Sequence, residues 1–142
     1  MIAYLDASVV IRHILRGDVT IRHALEYPTV LSSELVEIEC RRVLLRCRLQ
    51  DDLTDETLVE AVRRLDGVLG GIDLVDLSPA IKRRAMESFP VSVKTLDALH
   101  LATALAVAAA ADNGKIVMFS HDRAMNLGAY ALGMLTPLAT PS

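Results

Sequence analysis

Apolar positions come in short blocks separated by polar punctuation, and block length alternates between strand size and helix size. Ile2–Leu5 is an apolar run that ends at Asp6, the pattern of a strand buried in a parallel sheet. Val9–Leu15 follows as a helix, and Thr20–Glu26 as a weaker one stopped by Pro28. Thr29–Ser32 is the second strand. Ser32 or Ser33 then caps a long helix from Glu34 to about Leu49. Another runs from about Asp55 to Leu69 and ends at Gly70-Gly71. Ile72–Leu77 alternates apolar residues with Asp, a third strand, and Pro79 opens a helix over Ala80–Ser88. Thr95 caps Leu96–Ala111, which Asn113-Gly114 ends. Lys115–Ser120 is the fourth strand, Arg123–Gly128 a short helix and Met134–Leu138 a candidate fifth strand.

Strands alternating with helices predict an α/β fold, a parallel sheet covered on both faces. A length of 142 residues suits a single domain, 1–142. Ligands of such sheets bind at the carboxyl ends of the strands, so chemistry is expected just after each strand. Asp6 follows the first strand directly, and Asp122 follows the fourth in Ser120-His121-Asp122-Arg123. Helix capping is the plain alternative for each, but two strand ends presenting Asp carry more information than one.

Glu39 is a sharper anomaly. At about 100° per residue, Leu35, Val36 and Val43 fall within about 60° of it, while Glu34, Glu37 and Arg41 lie on the opposite side. A carboxylate on an apolar face is costly unless it is paired or bound to a metal. The pairing alternative is Arg42 or Arg46. Asp97 lies in the first turn of Leu96–Ala111, where the only other polar residues are His100 and Thr103, so this helix is expected to be buried nearly all round. A dipole-favoured acid is the plain alternative for Asp97. His100 reads as a hydrogen-bonded core histidine, His121 as exposed, and His13 and His23 as surface residues of helices.

Asp6, Glu39, Asp97 and Asp122 would bring −4 to one cleft, leaving +1 on the rest of a chain whose formal net charge is −3. Clustered carboxylates raise each other's pKa unless a cation intervenes. Oxygen-only donors suit Mg²⁺ or Mn²⁺ rather than Zn²⁺. A hard divalent ion so held orients a water and neutralises a phosphoryl oxygen, which predicts phosphodiester hydrolysis.

Composition narrows the partners. Trp is absent and aromatics are 4%, too few for a base-stacking platform. The acidic balance excludes bulk electrostatic binding of nucleic acid, although all but three of the 15 basic residues are Arg, suited to local phosphate contacts. Cys40 and Cys47 sit on one predicted helix, roughly 10 Å apart at ~1.5 Å per residue, too far for a disulfide. They read as reduced thiols of a reducing compartment. No leader pattern opens the chain, and Leu96–Ala111 is shorter than the ~20 residues of a membrane span. A soluble cytoplasmic protein is expected.

Tyr4-Leu5-Asp6-Ala7-Ser8-Val9-Val10, then Ser33-Glu34-Leu35 through Glu39 to Arg42, then Thr95-Leu96-Asp97-Ala98-Leu99-His100-Leu101-Ala102-Thr103-Ala104, then Ser120-His121-Asp122-Arg123 occur in this order. The chain resembles a PIN-domain ribonuclease, and within that group the VapC toxins of bacterial toxin–antitoxin pairs. The resemblance spans essentially all of the chain. It implies a three-layer α/β/α sandwich with a parallel sheet of about five strands. It also implies a Mg²⁺- or Mn²⁺-dependent endoribonuclease in which Asp6, Glu39, Asp97 and Asp122 hold the metal directly or through water. In-line attack by water then leaves a 5′-phosphate and a 3′-hydroxyl. Ser8 and Ser120 are placed to hydrogen-bond a carboxylate or a substrate phosphate, Ser8 being equally a helix cap. Arg42 is placed to orient Glu39 or to meet RNA or an antitoxin. A homodimer and a small inhibitory antitoxin are the implied partners, with no membrane. The helical pair at about 33–70, with Leu45, Leu49, Leu58, Val62 and Leu65, carries more apolar surface than a hairpin buries, and so offers either a partner surface or plain core.

Three rival readings share the scaffold. A haloacid-dehalogenase-like phosphatase wants a second Asp two residues after Asp6, where Ser8 stands. A receiver-like phosphoacceptor wants an acceptor Asp after the third strand, whereas Asp76 is expected inside Ile72–Leu77. A non-catalytic binding module has no use for four uncompensated acids.

Overall fold

The computed structural model describes residues 1–112 and 114–140. In chain order the elements are β1 (Ile2–Leu5), α1 (Ala7–Arg16), α2 (Ile21–Leu25), β2 (Thr29–Ser33), α3 (Leu35–Leu49), α4 (Asp55–Gly71), β3 (Asp73–Val75), α5 (Pro79–Ala85), α6 (Thr95–Ala110), β4 (Ile116–Phe119) and α7 (Arg123–Ala131). The strands form one parallel sheet in the order β3-β2-β1-β4. Ile2 stands opposite Thr29 on one side and Ile116 on the other, and Leu5 opposite Phe119, so β1 and β4 end level with one another.

Alternation along the strands builds two cores, because successive side chains point to opposite faces. Ala3, Leu5, Val117 and Phe119 pack with α1, α2, α3 and α4. Tyr4, Leu31, Ile116 and Met118 pack with α6 and α7. The result is the expected three-layer α/β/α sandwich. The apolar residues of the helical pair differ in burial. Leu65 is fully buried, and Leu58 and Val62 pack against the first core, whereas Leu45 and Leu49 are 47% and 75% exposed.

Several boundaries differ from those the pattern predicts. The candidate fifth strand contributes one parallel bridge, Leu135 to Val117. Its hydrogen bonds run from Met118 N–H to Leu135 O at 2.8 Å and from Leu135 N–H to Ile116 O at 3.0 Å. The next donor in that ladder would be residue 137, which is Pro and has no N–H. Gly70 and Gly71 do not cap α4; neither adopts a positive φ, and the helix runs through both to an extended Ile72. Gly17 does cap, closing α1 in the left-handed region at φ 66°. Gly128 does not end α7 but lets it close on α6, since a Cβ there would lie 2.8 Å from Leu101 Cδ1. Thr95 is the first residue of α6 rather than its cap, which is Lys94. Asn113, expected to end that helix with Gly114, lies outside the described residues. α6 is not buried nearly all round: burial is concentrated between Ala98 and Ala104, while Thr95 and Leu96 at its start and Ala106, Ala109 and Ala110 toward its end are exposed.

β3 is short, so Asp76 follows it rather than lying within it. That does not revive the receiver-like reading. β2 separates β3 from β1, which puts Asp76 about 10 Å sideways from Asp6 at ordinary strand spacing. Among the described residues no helix is long and apolar enough to cross a membrane. Cys40 and Cys47 are both free thiols, and burial pushes Cys40 up to about 12, so its thiol stays protonated at neutral pH.

Leu65→Ala is expected to cost about 2–5 kcal/mol, the range for emptying a buried leucine site. Leu49→Ala on the exposed end of α3 is expected to stay within about 0.5 kcal/mol. Urea unfolding midpoints decide, and equal losses at the two positions would contradict this division of the helical pair.

Candidate active site at the carboxyl edge of the sheet

β1 and β4 are neighbours, so their carboxyl ends deliver Asp6 and the Ser120–Asp122 segment side by side, with Asp6 N–H donating to Phe119 O at 3.0 Å. Asp6 is 5% exposed and occupies the cap position of α1, yet its side chain caps nothing. Instead Ser8 Oγ–H donates to its Oδ2 at 2.8 Å and Ser120 Oγ–H donates to the same oxygen at 2.7 Å. Each hydroxyl in turn accepts a backbone N–H, Ser8 from His121 and Ser120 from Asp122, both at 2.9 Å. Two peptide dipoles therefore reach the buried carboxylate through two hydroxyls, which supplies the hydrogen bonding a buried charge requires. Asp122 behaves differently: exposed at the start of α7, it caps that helix, its Oδ1 accepting from Ala124 N–H at 2.8 Å and Met125 N–H at 3.4 Å.

Glu39 projects from the second turn of α3 toward α6. Its acidic neighbours in the chain have other partners. Glu37 pairs with Arg41 at 2.8 Å, and Glu34 accepts from Leu77 N–H at 3.0 Å. The partner of Glu39 is neither Arg42 nor Arg46 but His100, whose Nε2 lies 2.5 Å from Glu39 Oε1. Arg42 and Arg46 instead line a shallow groove of about 320 Å³ with Leu45, Leu49 and Gln50, on the outward side of the carboxyl half of α3. The arginines stay solvated there, while a buried imidazole one helix away needs the carboxylate. On its other side, His100 Nδ1 meets Tyr4 OH at 2.7 Å. Burial opposes charge on this ring, but the hydrogen bond to Glu39 and the surrounding carboxylates outweigh it and raise the imidazole above its usual range. His100 is thus the hydrogen-bonded core histidine the sequence suggests. His121 is not exposed as expected but half-buried, its Nε2 enclosed without a partner among the described residues.

Asp97 stands on the first turn of α6, three residues before His100. Burial, then the charges of Asp122 and Asp6, push its carboxyl up to about 6; His100 works against this and Glu39 adds to it. The four acids therefore share one electrostatic neighbourhood. They do not form a ready cage, for among the described residues no three His, Cys, Asp or Glu side chains are grouped closely enough to hold a metal. Oδ2 of Asp6, Oε1 of Glu39 and Oδ1 of Asp122 take hydrogen bonds, and each of the three side chains keeps its second oxygen free of any among the described residues. Four carboxylates with free oxygens are a donor set chemically suited to a hard divalent cation.

Residues 3–126 match the model of the PIN domain. The chain belongs to the PIN-domain family. PIN domains are generally nucleases, so hydrolysis of phosphodiester bonds is the activity at family level. The crystal structure of PAE2754 from Pyrobaculum aerophilum superposes with a TM-score of 0.59, covering 98% of this chain and 82% of that one at 22% identity. That likeness speaks for the fold. No curated protein matches the sequence.

Between pH ~4 and ~6 the folded chain retains a proton on Asp97 that the unfolded chain has released, so stability falls as pH rises through that window. Asp97→Asn is therefore expected to raise the melting temperature in chelator at pH 7.5 and to leave it nearly unchanged at pH 4. An equal shift at both pH values would contradict the crowding of Asp97.

Proposed function

We propose that this PIN-domain chain is a metal-dependent endoribonuclease and the toxin of a toxin–antitoxin pair. The observation that carries the nuclease half is the crowding of carboxylates around Asp97, raised to about 6 by burial and by its acidic neighbours. Repulsion of that kind is relieved by a divalent cation. Asp6, Glu39, Asp97 and Asp122 would hold it. Bound Mg²⁺ or Mn²⁺ supplies an activated water and neutralises charge on a phosphoryl oxygen. The chain's own residues do the positioning. Ser8 and Ser120 fix Asp6 through one oxygen, and the backbone of α7 fixes Asp122 in the same way. Small hydroxyls at the strand ends leave room for a sugar–phosphate backbone to approach the edge of the sheet.

The partner half rests on α3. Its outward side shows Ile38, Leu45 and Leu49 with Arg42 and Arg46, an apolar stripe flanked by cations. A short amphipathic antitoxin segment bearing acidic residues suits that stripe, and a homodimer belongs to the same reading.

Two measurements test the proposal on the purified chain. Mn²⁺ at a hundredfold excess over Kd is expected to stabilise by ~2.7 kcal/mol, or about 5–10 °C in melting temperature for a chain of this size. Asp6→Asn and Asp97→Asn should abolish that shift. Cleavage-site mapping on total RNA should show discrete Mn²⁺-dependent cuts with 5′-phosphate ends, reduced about 10²-fold or more in Asp6→Asn. Equal cutting by both proteins, or an absence of metal-dependent stabilisation and of cutting, would overturn the nuclease reading in favour of a binding module.

A further inference from the structure

Tyr4, His100 and Glu39 form a hydrogen-bonded line that joins the sheet to both helix layers. Tyr4 lies on β1, His100 on α6 and Glu39 on α3, and the first two are wholly buried. We propose that His100 is a positioning residue for Glu39: it holds one carboxylate oxygen through Nε2–H so that the other stays available at the acid cluster. The proposal rests on reading Glu39 as a cation ligand, and it goes beyond that reading by assigning work to a residue outside the ligand set.

Geometry carries it. The Tyr4 hydroxyl lies 2.7 Å from Nδ1 of His100; with that hydroxyl donating, the neutral ring carries its proton on Nε2, and the doubly protonated ring carries one there as well. That nitrogen meets Oε1 of Glu39 at 2.5 Å. The ring has little freedom to turn away. Tyr4 packs against it edge to face, with centroids 5.7 Å apart and planes at 87°, and no part of His100 reaches solvent. A core position alone would be served better by a hydrocarbon of the same volume, since burying an imidazole costs free energy unless both nitrogens are bonded. Both are bonded here, and one bond ends on an acid that belongs to the cluster. The arrangement at Asp6 is parallel: donors converge on one oxygen, Oδ2, and among the described residues none reaches the other. Partners that orient a ligating carboxylate in this way typically contribute about 10–100-fold to metal affinity.

The test is Mn²⁺ binding to the intact chain by titration calorimetry, with wild type, Glu39→Ala, His100→Phe, His100→Gln and the double variant His100→Phe/Glu39→Ala. His100→Phe keeps the bulk and removes both nitrogens; His100→Gln keeps an N–H donor on the Glu39 side. Expected results are a loss of about 10–100-fold in Mn²⁺ affinity for His100→Phe, recovery of most of it in His100→Gln, and no further loss when His100→Phe is added to Glu39→Ala. Wild-type affinity in His100→Phe, or a loss that persists undiminished in the Glu39→Ala background, overturns the positioning role. Should His100→Phe not fold, Tyr4→Phe takes its place, with a several-fold loss in the wild-type background and none in Glu39→Ala; unchanged affinity then overturns the proposal. Asp6→Asn separates the two levels. If it also binds Mn²⁺ like wild type, the cation reading of the whole site fails; if it alone loses binding, only the role of His100 does.

Discussion

Like charges gathered at one edge of a parallel sheet set the terms for everything around them. A carboxylate with 5% exposure is intolerable without compensation, and Asp6 receives it from two serine hydroxyls that are themselves fed by backbone N–H groups. The compensation is local and covalently economical. Ser8 lies two residues after Asp6, and Ser120 closes the neighbouring strand, so the backbone register that pairs Leu5 with Phe119 also places both donors. Shifting that register by one residue would turn β4 over and send Ser120 to the other face.

The strand order explains why the acids share one edge of the sheet. With β1 between β2 and β4, the carboxyl ends of three adjacent strands open onto one edge. Asp6 leaves the middle strand, Asp122 lies beyond the end of one flanking strand, and α3 springs from the end of the other, carrying Glu39. Asp97 arrives from the opposite helix layer on α6. Its neighbour one turn on, His100, reaches across to Glu39 and so ties the two layers together over the edge of the sheet. One helix thus brings both an acid and the donor that restrains a second acid, at the spacing of three residues that puts them on one side of a helix.

Much of this is legible in the sequence. The four strands, the long helices and the strand-end acids follow from run length and from polar residues at the ends of apolar runs. Glu39 stood out because it broke the apolar face of its helix. What periodicity could not show was the identity of its partner. Arg42 and Arg46 are near in sequence and on the same helix, whereas His100 is 61 residues away and becomes a neighbour only when α3 and α6 pack. The signal available was His100 itself, an imidazole on an otherwise apolar helix, which implies two buried partners without naming them. Glycines misled for a related reason. Gly70-Gly71 reads as a helix stop, but glycine stops a helix by turning left-handed, and neither of the two does, while Gly128, expected as the last residue of its helix, lies inside it and makes room for Leu101. The fifth strand failed on a single atom, the N–H that Pro137 lacks.

The acid cluster also bears on how stability and activity are coupled. At neutral pH, keeping Asp97 ionised beside Asp6 and Asp122 opposes folding, and His100 works the other way, while the serine hydrogen bonds act on Asp6 alone. Hydrogen bonds fix where the carboxylates point; a counter-charge removes the repulsion itself. The two functions are separable in principle, because Asp6 and Glu39 are restrained through one oxygen each whereas no hydrogen bond from a described residue reaches Asp97. A site built this way is oriented in advance but electrostatically unfinished. On the proposed function, a cation completing it would gain twice, from carboxylates already oriented and from relief of their repulsion, and its binding would stabilise the whole chain by mass action rather than the site alone.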